Sequence, residues 1–225
     1  MRDWAALTAD IISCRRCERL VLHREAVAAK PPPRFSAWSY WGKPVPGFGD
    51  QHAKLWIVGL APAAHGANRT GRMFTGDSSG EWLYKALYET GFANQPHSTH
   101  AEDGLMLTGA YVSAAIRCAP PQNKPTSAEL HNCFLYLLNE WTLLRDTVRV
   151  ILPLGHIAYG QVKRLFPGER WPDFAHGLRH GVGIYYVLMS YHPSQQNTRT
   201  GRLRWEAWLG VFREARRLCD EAGAG

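Results

Sequence analysis

The 225-residue chain has no run approaching the ~18–20 consecutive apolar residues of a membrane span. Asp3 and Asp10 interrupt the N-terminus where a signal peptide would keep an apolar stretch, so export is not expected and the cytosol is the expected compartment. Neither a Gly-Lys-Ser/Thr phosphate loop nor a GxGxxG fingerprint occurs, which removes the two commonest nucleotide signatures. Internal repeats and low-complexity linkers are also missing. One domain over residues 1–225 follows, with 1–50 packing onto an α/β core as a helix, a cysteine pair and an aromatic loop. Nothing in the sequence calls for an oligomer, so a monomer is expected. Lysine is scarce, 6 residues against 20 arginines. The five cysteines are an odd number without an export signal, which makes a poor disulfide framework and favours metal or cluster ligation.

Apolar residues make up 45% of the chain and charged residues 20%, enough for a packed core and too apolar for disorder. Lys and Arg number 26 against 19 acidic residues, a net charge of +7. That balance favours polyanionic partners. Arginine suits bidentate phosphate contacts, although GC-rich coding produces the same excess.

Residues 3–29 carry apolar side chains at helical spacing, and Cys14-Arg15-Arg16-Cys17 predicts a break within them. Residues 31–50, PPPRFSAWSYWGKPVPGFGD, form a long loop whose aromatics predict packing. Four apolar runs follow: Lys54–Leu60, Gly109–Ile116, Arg149–Leu154 and Val182–Ser190. Each leads through a turn into a helical pattern, and Thr126 with Glu129 opens one helix as a capping box. Strands alternating with helices predict a parallel sheet covered on both faces. Ligands of such sheets bind at the carboxyl ends of the strands, where the loops 60–80, 117–125, 155–156 and 191–201 fall.

Three constellations carry chemistry. Cys14 and Cys17 have chelating spacing, and Cys118 and Cys133 lie fifteen positions apart, after one strand and inside the next helix. Four thiolates hold zinc or an iron–sulfur cluster, and their spacing does not choose between them. Cys118 and Cys133 also read as ordinary buried thiols, and Cys219 is the expected bystander. Next, the glycine-rich segment Gly59–Gly80 lets backbone N–H groups approach a ligand. It holds Asp77, either a base or electrostatic stabiliser or a helix N-cap, and Phe74, either a stacking face or a core aromatic. His65, Asn68, Arg69 and Arg72 lie in the same segment. Third, Tyr191–Arg202 places His192 directly after a buried strand, positioned to donate to a developing anion or to serve as a structural residue. Beyond it come a polar tip and Arg199, Arg202 and Arg204.

These pieces in this order, CRRC, PVPGFGD, GLAPAAHGANRTGRMFTGDSSG, RCAPPQNKPT and YHPSQQNTRTGR, resemble the iron–sulfur branch of the uracil-DNA glycosylase superfamily, its type B or family 5 members. The resemblance spans nearly the whole chain. It implies a three-layer α/β/α fold around a central four-stranded parallel sheet. It also implies a 4Fe-4S cluster held by Cys14, Cys17, Cys118 and Cys133. The implied reaction is hydrolysis of the N-glycosidic bond of a deaminated base in double- or single-stranded DNA, after base flipping, leaving an abasic site. Phe74 would stack on the flipped base, with Leu60, Ala61 and Ala114 beside it. Asp77 would orient water or stabilise positive charge on the sugar, His192 would stabilise the departing base, and Asn123 matches a polar residue with a catalytic contribution. Ser194, Gln195, Gln196 and Asn197 would fill the gap in the duplex. Arg69, Arg72, Arg117, Arg199 and Arg202 are expected to face the DNA.

Two departures from other branches bear on substrate range. Leu60 stands where uracil-specific enzymes carry a polar residue, and Ala114 where many place an Asn that reads the uracil edge. Ala114 makes no bidentate contact and leaves room, so uracil, hypoxanthine, xanthine and etheno-cytosine are the expected substrates. The rival expectation is an iron–sulfur DNA-binding redox sensor that cleaves no bond. It accounts for the cysteines and the charge but leaves Asp77, Phe74 and His192 without a role.

Overall fold

The computed structural model describes residues 3–221. Asp3 caps α1 (Trp4–Ile12) by accepting from the Ala6 N–H at 2.7 Å. The chain breaks through the first cysteine pair, as its sequence predicts, and resumes as α2 (Glu18–Ala29). The aromatic loop contains a short 3-10 turn (Pro33–Phe35) and ends in β1 (Phe48–Gly49). Then come β2 (Leu55–Gly59), α3 (Ala67–Thr70), α4 (Ser78–Glu89) and β3 (Ala110–Ala114). A second 3-10 turn (Pro121–Asn123) precedes α5 (Ser127–Leu144), β4 (Val150–Pro153) and α6 (His156–Lys163). The chain closes with β5 (Arg179–Val182), β6 (Tyr185–Leu188), α7 (Gln195–Arg199) and α8 (Trp205–Glu221). The capping box is formed: the Glu129 N–H donates to Thr126 Oγ1 and the Thr126 N–H to Glu129 Oε2. No described helix is long and apolar enough to cross a membrane.

The sheet order is β1-β3-β2-β4-β6-β5. Its inner four strands are parallel and correspond to the four apolar runs. The expected four-stranded sheet is therefore the centre of a six-stranded one, extended at each edge by an antiparallel strand. One edge arises because Val182–Ser190 is not a single strand. Gly183 takes a φ of +57° and turns the chain, so the first part of that run ends β5 and the rest folds back as β6.

Alternation along the strands separates two apolar layers. Leu55, Ile57, Val112 and Leu152 pack with α4 and α8 on one face. Trp56, Val58, Ile151 and Val187 pack with α5 and α6 on the other. This is the three-layer α/β/α arrangement. A third cluster joins Leu7, Ile11 and Leu20 of the N-terminal helices to Ile116, Cys118, Cys133 and Tyr136. The N-terminal segment is thus seated where β3 runs out and α5 begins. Cys219 is buried in the α8 layer, in a different apolar cluster from Cys118 and Cys133.

Candidate active site

The loops leaving β2 and β6 meet at the carboxyl edge of the sheet. Phe74 takes a φ of +53°, a left-handed conformation that costs a non-glycine residue about 1–3 kcal/mol and is concentrated at functional sites. Its ring lies stacked against His192, centroids 5.8 Å apart. Two glycines permit this placement. A Cβ on Gly59 would stand 2.6 Å from the Phe74 ring, and one on Gly80 would collide with the Phe74 carbonyl. The Tyr84 hydroxyl donates to the neighbouring Met73 carbonyl at 2.7 Å and holds the turn from the helix side.

Asp77 is the N-cap of α4, accepting from the Gly80 N–H at 3.0 Å. The two readings of Asp77 are compatible, since the cap uses Oδ1 while Oδ2 lies beside Gly66, where a Cβ would collide with it. Burial raises the Asp77 carboxyl above its usual range, partly offset by the N–H groups of Gly80 and Ser79. Burial pushes His192 down to about 4, so its imidazole is neutral at physiological pH and has one N–H to donate. A neutral donor suits an anion that develops only during reaction. The Asn197 amide donates to the His192 carbonyl at 2.8 Å, and the Gln195 amide donates to Ser78 Oγ at 3.2 Å, tying the α7 loop to the start of α4.

The other predicted site residues divide sharply. Ala114 is buried at the end of β3, paired in register with Gly59. Leu60 is half-buried and accepts from the Ile116 N–H, and Ala61 packs against the apolar cluster beside the cysteines. Asn123 is exposed in the second 3-10 turn, where it and Gln122 both have positive φ. Gln195, Gln196, Arg199 and Arg202 are exposed, and Ser194 and Asn197 half-buried. Arg202 lies over the Tyr191 ring at 4.6 Å.

Arg69, Arg72 and Arg117 do not line a DNA-facing surface. Each is buried and engaged inside the protein. Arg72 pairs with Asp103 at 2.7 Å and donates to Ser98 and Thr75. Arg117 pairs with the fully buried Glu140, which also accepts from Ser113. Arg69 lies between the rings of Phe35 and Trp38. A buried cation survives only where internal partners replace water, and these partners come from distant segments.

Cys14, Cys17, Cys118 and Cys133 line one cavity together with Leu20, Pro44, Arg117 and Tyr136. None of the five cysteines forms a disulfide. Among the described residues no group of three or more His, Cys, Asp or Glu converges on a point as one metal ion requires. A cluster differs, because each thiolate binds its own iron and the ligands surround the group. The donor set fits such a group. Arg24 Nη1 donates to Cys118 Sγ at 3.1 Å, the Arg117 N–H to Cys133 Sγ at 3.3 Å and the Asn132 amide to Cys17 Sγ at 3.7 Å. Buried Nε of Arg24 and Nε and Nη1 of Arg117 have no hydrogen-bond partner, as expected beside an anionic group. Burial pushes the Cys118 thiol to about 11 and the Cys133 thiol to about 12, so neither is a thiolate at neutral pH unless a cation binds it. Arg24 and Glu140 were not singled out in the sequence. The available signal was spacing, since each lies seven residues, two helical turns, beyond a cysteine.

A strained aromatic, a half-buried carboxylate and a neutral imidazole thus lie at the carboxyl edge of an open α/β sheet, the place where ligands of such sheets bind. Residues 46–213 match the family model described as the uracil DNA glycosylase superfamily. The chain is 50% identical to the type-5 uracil-DNA glycosylase of Mycobacterium leprae, the match covering 94% of each chain. It is 47% identical to the type-5 enzyme of Thermus thermophilus, over 96% of this chain and 98% of the relative. A type-4 uracil-DNA glycosylase of Archaeoglobus fulgidus is 28% identical, over 96% of this chain and 92% of the relative. The chain belongs to the uracil-DNA glycosylase superfamily.

Proposed function

We propose that this protein is a monofunctional uracil-DNA glycosylase of the type-5 kind that also removes hypoxanthine and xanthine. The observation that carries the reading is the Phe74–His192 stack beside Asp77, within a chain so close to type-5 enzymes. The flipped base lies against Phe74. The bond from C1′ to the base nitrogen breaks, the electron pair leaves with the base, and the oxygen of a water bonds to C1′ while its proton passes through solvent to the departed base anion. Asp77 orients that water or stabilises the positive sugar, and the neutral His192 donates to the base as negative charge gathers on it. Asn123, exposed on its turn, would add a polar contact to the bound nucleotide. Arg199, Arg202 and the 194–197 tip are the residues for phosphate contact and gap filling. A sensor that cleaves no bond would leave the strained Phe74 unexplained.

The small Ala114 at the end of β3 supports the wider substrate range. Duplexes carrying uracil, inosine or xanthosine, treated under single turnover and then with alkali, are expected to break at all three. Breakage at uracil alone would remove the wider range, and none at uracil would remove the reading.

Cys14, Cys17, Cys118 and Cys133 would hold a 4Fe-4S cluster that takes no part in bond cleavage and fastens α1 and α2 to the β3–α5 connection. Anaerobically purified protein is expected to be brown, with broad absorbance near ~400 nm and equal amounts of iron and acid-labile sulfide. A colourless protein containing zinc would overturn the cluster.

A further inference from the structure

We propose that Arg69 is the positioning residue of Asp77, a guanidinium fork that holds the two limbs of the Gly59–Gly80 loop together and sets the direction of the Asp77 carboxylate. The proposal rests on the reading of Asp77 as the catalytic carboxylate. Arg69 stands on α3, only 4% exposed. Its Nε donates to the His65 carbonyl and its Nη2 to the Gly76 carbonyl, both at 2.8 Å. One planar group thus bridges the limb before α3 to the peptide directly preceding Asp77. Gly76 has a φ of +81°, and a Cβ there would collide with Nη2, so the close approach requires glycine at that position.

The fork is itself clamped. The Arg69 guanidinium carbon lies 4.2 Å from the Phe35 ring centroid and 4.0 Å from that of Trp38, a cation–π placement that suits a planar guanidinium. The Arg69 carbonyl accepts from the Trp41 N–H at 3.0 Å and the Asn68 carbonyl from the Gly42 N–H at 3.0 Å. This gives the long aromatic loop a purpose: it braces Arg69. Next to it, the Tyr40 hydroxyl meets His65 Nδ1 at 3.0 Å, securing the residue whose carbonyl receives Arg69 Nε.

Carbonyls and rings, rather than a carboxylate, are the direct partners of this buried cation. A buried charge with that surrounding is costly, and an apolar side chain would pack the rings equally well. The geometry carries the link to Asp77, through the Gly76 carbonyl of the peptide that precedes it. Burial is the largest influence on the Asp77 carboxyl and raises it, the N–H groups of Gly80 and Ser79 lower it, Glu81 raises it, and the Arg69 charge adds the smallest lowering.

The test compares Arg69→Met, Arg69→Lys and the loop variant Phe35→Leu/Trp38→Leu, each checked for folding by circular dichroism. In single-turnover release of uracil, Arg69→Met is expected to lose about 10²-fold in the maximal rate. The protein concentration giving half-maximal rate should be unchanged, and the acid limb of the pH–rate profile should move to higher pH. Arg69→Lys should keep the acid limb in place but restore only part of the rate, because a lysine cannot span two carbonyls. Phe35→Leu/Trp38→Leu retains the arginine and should lose rate in the same direction. In an Asp77→Asn background, Arg69→Met should cause no further loss. A folded Arg69→Met protein with normal rate and pH profile would overturn the proposal, as would equal losses in both backgrounds, the mark of a merely structural role. If Arg69→Met does not fold, the lysine and loop variants decide on the same criteria. Full activity of Asp77→Asn by itself would remove the reading of Asp77, and a dead Asp77→Asn beside an unaffected Arg69→Met would remove the positioning role alone.

Discussion

Asp77→Asn is expected to slow single-turnover uracil release by about 10³-fold while leaving the fold intact. The substitution separates the two uses of this residue. Asparagine is as good an N-cap as aspartate, so the bond from the Gly80 N–H to Oδ1 survives and α4 keeps its start. What disappears is the negative charge. Burial raises the Asp77 carboxyl above its usual value, which means that the folded protein binds this proton more tightly than the unfolded chain. Its stabilising effect is present below the unfolded pKa and lost as pH rises through the folded one. Wherever the carboxylate is ionised it therefore works against stability, and Asp77→Asn should unfold in urea no more easily than the unaltered protein. The rate of the unaltered protein should fall as pH falls through the raised ionisation of Asp77, and the residual rate of Asp77→Asn should lack that limb. An Asp77→Asn protein that is unstable, or that keeps the full rate, would contradict this division of roles.

The second large effect lies beneath the site. Glu140 has no exposed surface and accepts from Arg117 Nη2 and from Ser113 Oγ. Removing the carboxylate leaves Arg117 as a buried cation whose Nε and Nη1 already lack hydrogen-bond partners. Breaking one side of such a pair costs about 3–5 kcal/mol, so Glu140→Leu is expected to lose that much unfolding free energy in urea titration. The double variant Arg117→Met/Glu140→Leu should recover most of it, because an apolar pair of similar volume carries no desolvation penalty. A Glu140→Leu protein within about 1 kcal/mol of the original would show that the cation is compensated from elsewhere. The Arg117 N–H also donates to Cys133 Sγ, and α5 supplies both Cys133 and Glu140. The ion pair is thus part of the frame that presents the cysteines.

A good share of this architecture is legible in the order of residues. The inner strands follow from four apolar runs, since each element's periodicity is confined to a few consecutive residues. The break at the first cysteine pair and the Thr126–Glu129 box are equally local. The hairpin within Val182–Ser190 escaped because an apolar run interrupted by one glycine has the same composition whether it stays straight or folds back. The family motifs brought Phe74, Asp77 and His192 to attention, although they do not state why Phe74 can adopt its conformation. That depends on Gly59 and Gly80, whose missing side chains matter only once the loop has closed on itself.

The arginines divide the two kinds of information most clearly. From its sequence alone the chain is basic, of one-domain size, α/β in class, and equipped with a cysteine set and three unusual loops. These properties are summed over the chain or carried within short windows. The fate of each charge is not, because it depends on partners brought together by folding. Arg72 meets Asp103, Arg117 meets Glu140 and Arg69 meets Phe35 and Trp38, each across roughly two to three dozen residues. Three arginines expected on the DNA surface are therefore internal struts, and Arg199 and Arg202 remain outside. Composition counts charges, whereas the cost of removing a charge from water decides which of them the folded chain must satisfy internally.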